Sequence, residues 1–342
     1  MRRPFRDRVI SILRRVRARL APKRRPSRDR VVSIALLVPA LVAVAVFVYG
    51  MIGWSAWVSL SKANDLSFDM SFNGLANYAA VFSNIRFQLD LRNTVVFTIC
   101  FVGASLVIGL LLANLLDRRI RAEGIFRSLF LFPLAISFIV TGVVWKWLLA
   151  PSAGVNVLFG LDPATNRWFT DPTVLHVGAD SAAGHFLSDI GLGFLASSQF
   201  GVPIALMSLV IAAVWQMSGF VMALYLAALR GIPEELREAA RVDGASEWQL
   251  FRRVVLPLLA PVTVTAVIIL GHISLKIYDL QQAMTKQGPG FATDFPASYM
   301  WQTAFNDNEF AKGAAVGIVM LLLVALLIVP YLIWNRRQDM TR

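Results

Sequence analysis

Few residues in this 342-residue chain are of types that catalyse reactions or hold metals, and their spacing suits neither role. His176, His185 and His272 are too scattered for a zinc site. The one cysteine, Cys100, lies in an apolar run, so neither an intramolecular disulfide nor a thiolate cluster can form. No G-x-x-x-x-G-K-S/T occurs, and the dipeptide Gly-Lys is absent, so the chain lacks the P-loop cradle for nucleotide phosphates. The chemistry that does concentrate is that of protein contact, between residues 230 and 257. There Glu238 offers a charge-assisted contact to a basic partner, while Ala239 and Ala240 are small enough to let another backbone come close.

These residues need two short helices to position them. Pro233 suits a first helical position, with Glu234 and Glu235 in the first turn, where the helix dipole favours anions. Gly244 is placed just after the helix end, where a left-handed conformation is cheap for glycine. Ser246 and Gln249 have the spacing of a capping box that starts the second helix, and Pro257 and Pro261 fall early in the apolar run that follows. Leu236, Ala239, Ala240 and Asp243 share one face; Trp248, Phe251 and Val255 share another. Amphipathicity alone favours a helix pair lying on lipid headgroups or packed on its own bundle.

What surrounds this loop is membrane. Hydrophobic residues make up 57% of the chain and charged residues 16%, with mean hydropathy +0.62, a surplus that a water-soluble globule cannot hide. Six runs reach the roughly 20 apolar residues needed to cross about 30 Å of hydrocarbon as a helix. They are 31–60, 94–116, 128–150, 200–229, 254–275 and 313–334, and within them only Lys146 carries a full charge. With the N-terminus inside, the inner segments hold 25 of the 33 Lys and Arg and the outer segments 7, and every loop alternates as the positive-inside rule requires. The expected fold is therefore an all-α membrane protein of six transmembrane helices with both termini cytoplasmic.

Residues 1–30 hold 13 Lys and Arg against Asp7 and Asp29, so +11 of the +12 net charge sits there. The nearly neutral remainder excludes a global nucleic-acid-binding surface. The first apolar run is too long for a secretory signal core and is read as an uncleaved span. The division expected is a basic cytoplasmic tail (1–30), a membrane domain (31–336) and a short cytoplasmic tail (337–342). Outer loops run over 61–93, 151–199 and 276–312, and the cytoplasmic loop over 230–257. The tail meets anionic membrane lipid or simply fixes topology.

Inside the membrane, Trp215, Gln216 and Ser218 fall near the middle of the fourth span, where polar groups and an aromatic face could meet a polar solute. A Trp packed in the bundle with Gln216 bonded to a neighbouring helix is the competing reading. Thr263 and Thr265 on the fifth span, with Ser137 and Thr141 on the third, are further candidates, although such hydroxyls also bond back to their own helix. Lys146, a turn from its span's outer end, is placed to snorkel. No Asp or Glu lies inside any of the six runs, which removes the usual carboxylates of proton- or sodium-coupled transport.

The order Glu238-Ala239-Ala240, three residues, Gly244, nine residues, Val254-Val255-Leu256-Pro257 resembles the EAA loop of ABC importer permeases, with Val254 where that family usually has Ile. Asn73-Gly-Leu-Ala-Asn-Tyr78 with Leu91-Arg-Asn-Thr94 resembles the carbohydrate-uptake, maltose-type branch. So do Trp147, Pro151, Gly154 and Asn156, and Tyr278-Asp-Leu followed by 284–293, which has Gln287-Gly288-Pro289 for the usual Gly-Gly-Pro. The stretch 296–331 is most similar to alpha-glucoside permeases. The resemblance implies a type I ABC importer permease fold and no enzymatic site of its own. By position, Glu238 would be the charged contact to a separate ATPase, Ala239 and Ala240 the close-packed contacts and Gly244 the turn, with Leu256 and Pro257 closing the motif. It further implies a second permease in a heterodimer, two ATPase subunits holding ATP and Mg, and an extracytoplasmic sugar-binding protein, in a bacterial inner membrane. An importer for a polyamine or amino acid would share the loop, whereas a non-transporting scaffold would not need it.

Overall fold

A computed structural model describes residues 28–65, 68–118, 122–176, 181, 185, 188–189 and 201–339. The expected basic tail as far as residue 27, Arg119, Arg121, most of 177–200 and the residues after 339 lie outside the described residues. The chain divides into two compact units, Met1–Trp54 and Ser55–Arg342.

Among the described residues, four helices are long and apolar enough to cross a membrane: α1 (Leu36–Ser59), α3 (Ile85–Asp117), α7 (Ile204–Arg230) and the Phe310–Ile333 part of α13 (Phe310–Asp339). Short helices α2 (Ala76–Ser83), α6 (Gly154–Phe159), α8 (Glu234–Val242), α11 (Asp279–Met284) and α12 (Pro296–Trp301) lie between them. The other two apolar runs are broken. Helix α4 (Glu123–Ala135) meets α5 (Phe138–Leu148) at 102°, and α9 (Glu247–Leu258) meets α10 (Ala260–Leu275) at 61°. The sequence reads 128–150 and 254–275 as plain runs; the structure makes each a bent pair, so six spans result only if each pair counts as one.

The bends have local causes. Pro133 supplies no N–H to the turn, Ile136 and Ser137 adopt extended ψ angles of 141° and 153°, and the Ser137 hydroxyl restarts the helix by accepting from Val140 N at 3.3 Å. In the second pair, Pro257 and Pro261 flank the bend at Leu259, after a π-helical stretch Phe251–Val255.

Helix α7 is the centre of the second unit: 72% of its most apolar stretch is buried, against 28% for α3 and 6% for α13. The core joins Leu206, Leu209, Met222 and Leu229 of α7 to Phe97 and Phe101 of α3, whose rings stack at 5.3 Å. The apolar side chains left outside, such as Leu322 and Leu326 on α13, suit lipid rather than water.

At 33 residues, α3 is about 50 Å long, more than a bilayer's hydrocarbon depth. It begins at Ile85, capped by the Asn84 side chain on Arg86 N, so residues 85–93 are helical rather than part of a loop 61–93. That first stretch is tied to the segment after α11: Asn93 Nδ2 donates to the carbonyls of Phe291 (2.8 Å) and Asp294 (2.9 Å), and Arg86 pairs with Asp294 at 2.7 Å. Two sequence motifs nearly 200 residues apart thus form one lock. The 73–78 motif also ties distant backbone together. Asn77 Nδ2 donates to the carbonyls of Ser59 and Ser61, and Tyr78 shares a 2.7 Å hydrogen bond with Ser59. Asn156 donates to the carbonyls of Pro151 and Asn166 and accepts from Trp168 Nε1, which closes the turn after α5.

Candidate coupling site and membrane path

Helix α8 is built largely as its sequence dictates. Pro233 is the residue before the helix (ψ 133°) rather than its first member, and Glu234 and Glu235 fill the first turn. At the other end Gly244 has φ +81°, with its N–H on the carbonyl of Arg241 (3.0 Å) and that of Ala245 on Ala240 (3.0 Å). This is the Schellman pattern, which uses up two free carbonyls. Ser246 then accepts from Gln249 N at 3.3 Å while Gln249 Oε1 accepts from Ser246 N at 2.9 Å, the reciprocal capping box that starts α9.

None of the nine residues of α8 is buried. Glu238, Ala239 and Gly244 are exposed and Ala240 is half-buried; Leu256 and Pro257 on α9 are also exposed. Val242 is 87% exposed and Trp248 67%, the latter with one face stacked on Phe251 at 6.0 Å, which leaves large apolar side chains beside charges open to solvent among the described residues.

Ion pairs hold the loop to the bundle. Arg237 Nη1 reaches Asp117 at the end of α3 (3.1 Å) and Nη2 donates to the Leu229 carbonyl of α7 (2.9 Å). Arg230 pairs with Glu123 at the start of α4 (2.6 Å). Arg241 links Glu234 (3.4 Å) to Glu247 of α9 (2.9 Å), and the Glu247 carboxylate raises the Arg241 guanidinium further above its ordinary value. A cleft of about 640 Å³ lies between Asp117, Glu123, Arg230 and Arg237. Sequence reasoning picked Glu238 and passed over its neighbour Arg237. The only local sign was the Glu234–Arg237 spacing of three; Asp117 lies 120 positions away.

The membrane candidates do not converge. Trp215 meets Trp145 edge to face at 5.9 Å, and with Ser218 it lines an apolar cleft of about 720 Å³ beside Phe130, Phe132 and Pro133. Gln216, 3% exposed, instead donates from Nε2 to the Ile136 carbonyl at 2.7 Å, the group freed by the break between α4 and α5. Thr263 donates to its own helix at Leu259 O (3.0 Å) and accepts from the Tyr225 hydroxyl (3.0 Å); Thr265 bonds back to Pro261 O (3.0 Å). Ser137 is a cap, Thr141 is 1% exposed, and Lys146 is exposed in the last turn of α5. Replacing Gln216 by leucine should therefore cost about 1 kcal/mol by leaving a half-buried carbonyl without its donor, read as a lower Tm of the purified complex. An unchanged Tm with an altered substrate KM would return Gln216 to the substrate path.

At Gly219, one turn along, a Cβ would stand 1.9 Å from the Phe130 carbonyl, so α4 crosses α7 against bare backbone. Among the described residues, no group of three or more His, Cys, Asp or Glu could hold a metal ion.

Residues 105–340, more than half of the chain, match the family model described as binding-protein-dependent transport system inner membrane component. The chain belongs to that family. As an ABC transporter permease it is 37% identical over 307 residues to a probable ABC transporter permease of Pyrococcus horikoshii, covering 89% of this chain and 95% of the relative. A xylose/arabinose import permease of Haloferax volcanii is 31% identical, covering 87% of this chain and 86% of its own. The crystal structure of a bacterial ABC transporter involved in import of the acidic polysaccharide alginate aligns with TM-score 0.64 at 21% identity, covering 91% of this chain and 97% of that one. The permease fold follows from that alignment. The related permeases are transport components rather than catalytic proteins, and the chain is a multi-pass membrane protein.

Proposed function

We propose that this permease is the six-span subunit of an ATP-driven sugar importer, with both termini cytoplasmic. Loop 230–257 takes the push of a separate ATPase. Glu238, Ala239, Ala240 and Gly244 form its contact, and Leu256 and Pro257 its junction with the fifth span. The observation that carries this reading is α8 itself, a helix that is closed at its C-terminus by the Gly244 turn and buries none of its residues among the described chain. Such a helix gains from a partner what it lacks in packing.

Orientation is supported by the 25-to-7 distribution of basic residues and by the segregation of the loops. The Asp117–Arg237 and Glu123–Arg230 pairs gather one set of helix ends; Arg86–Asp294 and the Asn64 contact with Lys312 N gather the opposite set. The second set, on the segments around Asn64, Arg86, Asp294 and Lys312, faces outward and receives an extracytoplasmic binding protein. A second permease completes the path across the membrane, and two ATPase subunits hold ATP and Mg. Trp215, which is exposed, and Ser218, which is buried but lines the same cleft, remain the substrate-path candidates; Gln216, Thr263 and Thr265 act through the bundle. The solute is a sugar, an oligosaccharide, for which the maltose-type motifs and the sugar-import names of relatives speak.

The test is reconstitution of the complex with its binding protein in proteoliposomes. An oligosaccharide such as an alpha-glucoside is expected to accelerate ATP hydrolysis and to enter the lumen. Stimulation by an amino acid or polyamine instead would keep the importer and discard the sugar.

A further inference from the structure

The coupling helix has to be stiffly joined to the spans if a push on it is to move them, and packing does not supply that join. No residue of α8 is buried, and Arg237 and Ala240 are its two half-covered side chains. Arg237 makes the long-range connections. Its guanidinium reaches Asp117 at the end of α3 from Nη1 (3.1 Å) and the Leu229 carbonyl at the end of α7 from Nη2 (2.9 Å), while Nε stands 3.9 Å from Glu234 of its own helix. The side chains of Arg237 and Asp117 are 18% and 16% exposed, so the pair is shielded from water and salt better than a surface ion pair. Helix α7 is the most buried of the four long spans, and a close-packed core moves as a body. A displacement of α8 that keeps this fork intact therefore carries α3 and α7 with it.

We infer that Arg237 is a positioning residue that transmits motion of the coupling helix to the spans, its planar fork gripping Asp117 and the Leu229 carbonyl together. The inference rests on the proposed coupling role of loop 230–257. Lysine keeps the charge but, as a compact point charge on a flexible stem, cannot hold both acceptors in a fixed plane. Transport per ATP should therefore depend on the fork rather than on positive charge.

The experiment compares the assembled complex in proteoliposomes, reading sugar transported per ATP hydrolysed. Arg237→Leu is expected to lower that ratio about tenfold and Arg237→Lys by several-fold, the scale of one or two charge-assisted hydrogen bonds. The exchange Asp117→Arg with Arg237→Asp, which rebuilds the pair in reverse but leaves the Leu229 carbonyl without its donor, should recover only part of the ratio. Transport and hydrolysis falling in parallel would overturn the inference, as would a wild-type ratio in Arg237→Leu. Should Arg237→Leu fail to assemble, the lysine variant and the exchange decide: an exchange that restores assembly without recovering any of the ratio makes the pair merely structural. Gly244→Val in the same assay separates the two levels. If it leaves transport untouched, the coupling reading itself fails; if it uncouples while the Arg237 variants do not, only this inference does.

Discussion

Sugar uptake by cells carrying Gly244→Val is expected to fall at least about tenfold with the protein still present in the membrane. A residue with a Cβ in the left-handed region costs roughly 1–2 kcal/mol, and a β-branched one sits there least easily. Gly244, at φ +81°, sets the turn in which its own N–H bonds the Arg241 carbonyl and the N–H of Ala245 bonds the Ala240 carbonyl, the two hydrogen bonds that end α8. A Cβ there meets no atom within 4 Å, so the penalty is conformational rather than steric. Because α8 buries none of its residues, it has no packing with which to absorb such a cost, and its last turn, with Ala239 and Ala240, must reorient. A ranking follows from the backbone angle: asparagine, which tolerates left-handed backbone, should retain more uptake than alanine, and alanine more than valine. Equal loss for Gly244→Asn and Gly244→Val would show that space or chemistry, not backbone angle, is what matters there.

The largest loss of stability is expected from Arg86→Leu. Arg86 Nε holds Asp294 at 2.7 Å and Nη1 holds Gln302 at 2.8 Å, with the guanidinium over the rings of Phe291 (5.0 Å) and Tyr299 (5.2 Å). The Asp294 side chain has no exposure, and its other oxygen accepts from Phe295 N. Removing only the cation strands a carboxylate among the buried residues, which typically costs about 3–5 kcal/mol, whereas removing both charges together costs far less. The purified complex carrying Arg86→Leu should therefore melt well below the double variant Arg86→Leu/Asp294→Leu. A double variant as unstable as the single one would mean that packing around Phe291 and Tyr299, not the ion pair, holds this lock. Arg86→Lys should fall between, since one ammonium cannot serve Asp294, Gln302 and two rings at once.

The amino-acid sequence alone determined the features encoded by short-range pattern. Runs of 20 or more apolar residues require helices in lipid, the distribution of Lys and Arg sets their expected direction, and Pro233, Gly244, Ser246 and Gln249 mark the ends of two helices within one residue of where they lie. The residue order 238–257 also pointed to the family. Tertiary structure alone decided the rest. That Gln216 serves the freed Ile136 carbonyl, that Arg237 reaches Asp117, and that Arg86 meets Asp294 all depend on groups 80, 120 and 208 positions apart. The 102° break between α4 and α5 was hidden in part for the same reason: Pro133 and Ser137 cause it locally, and the Gln216 donor on α7 satisfies the Ile136 carbonyl that it frees.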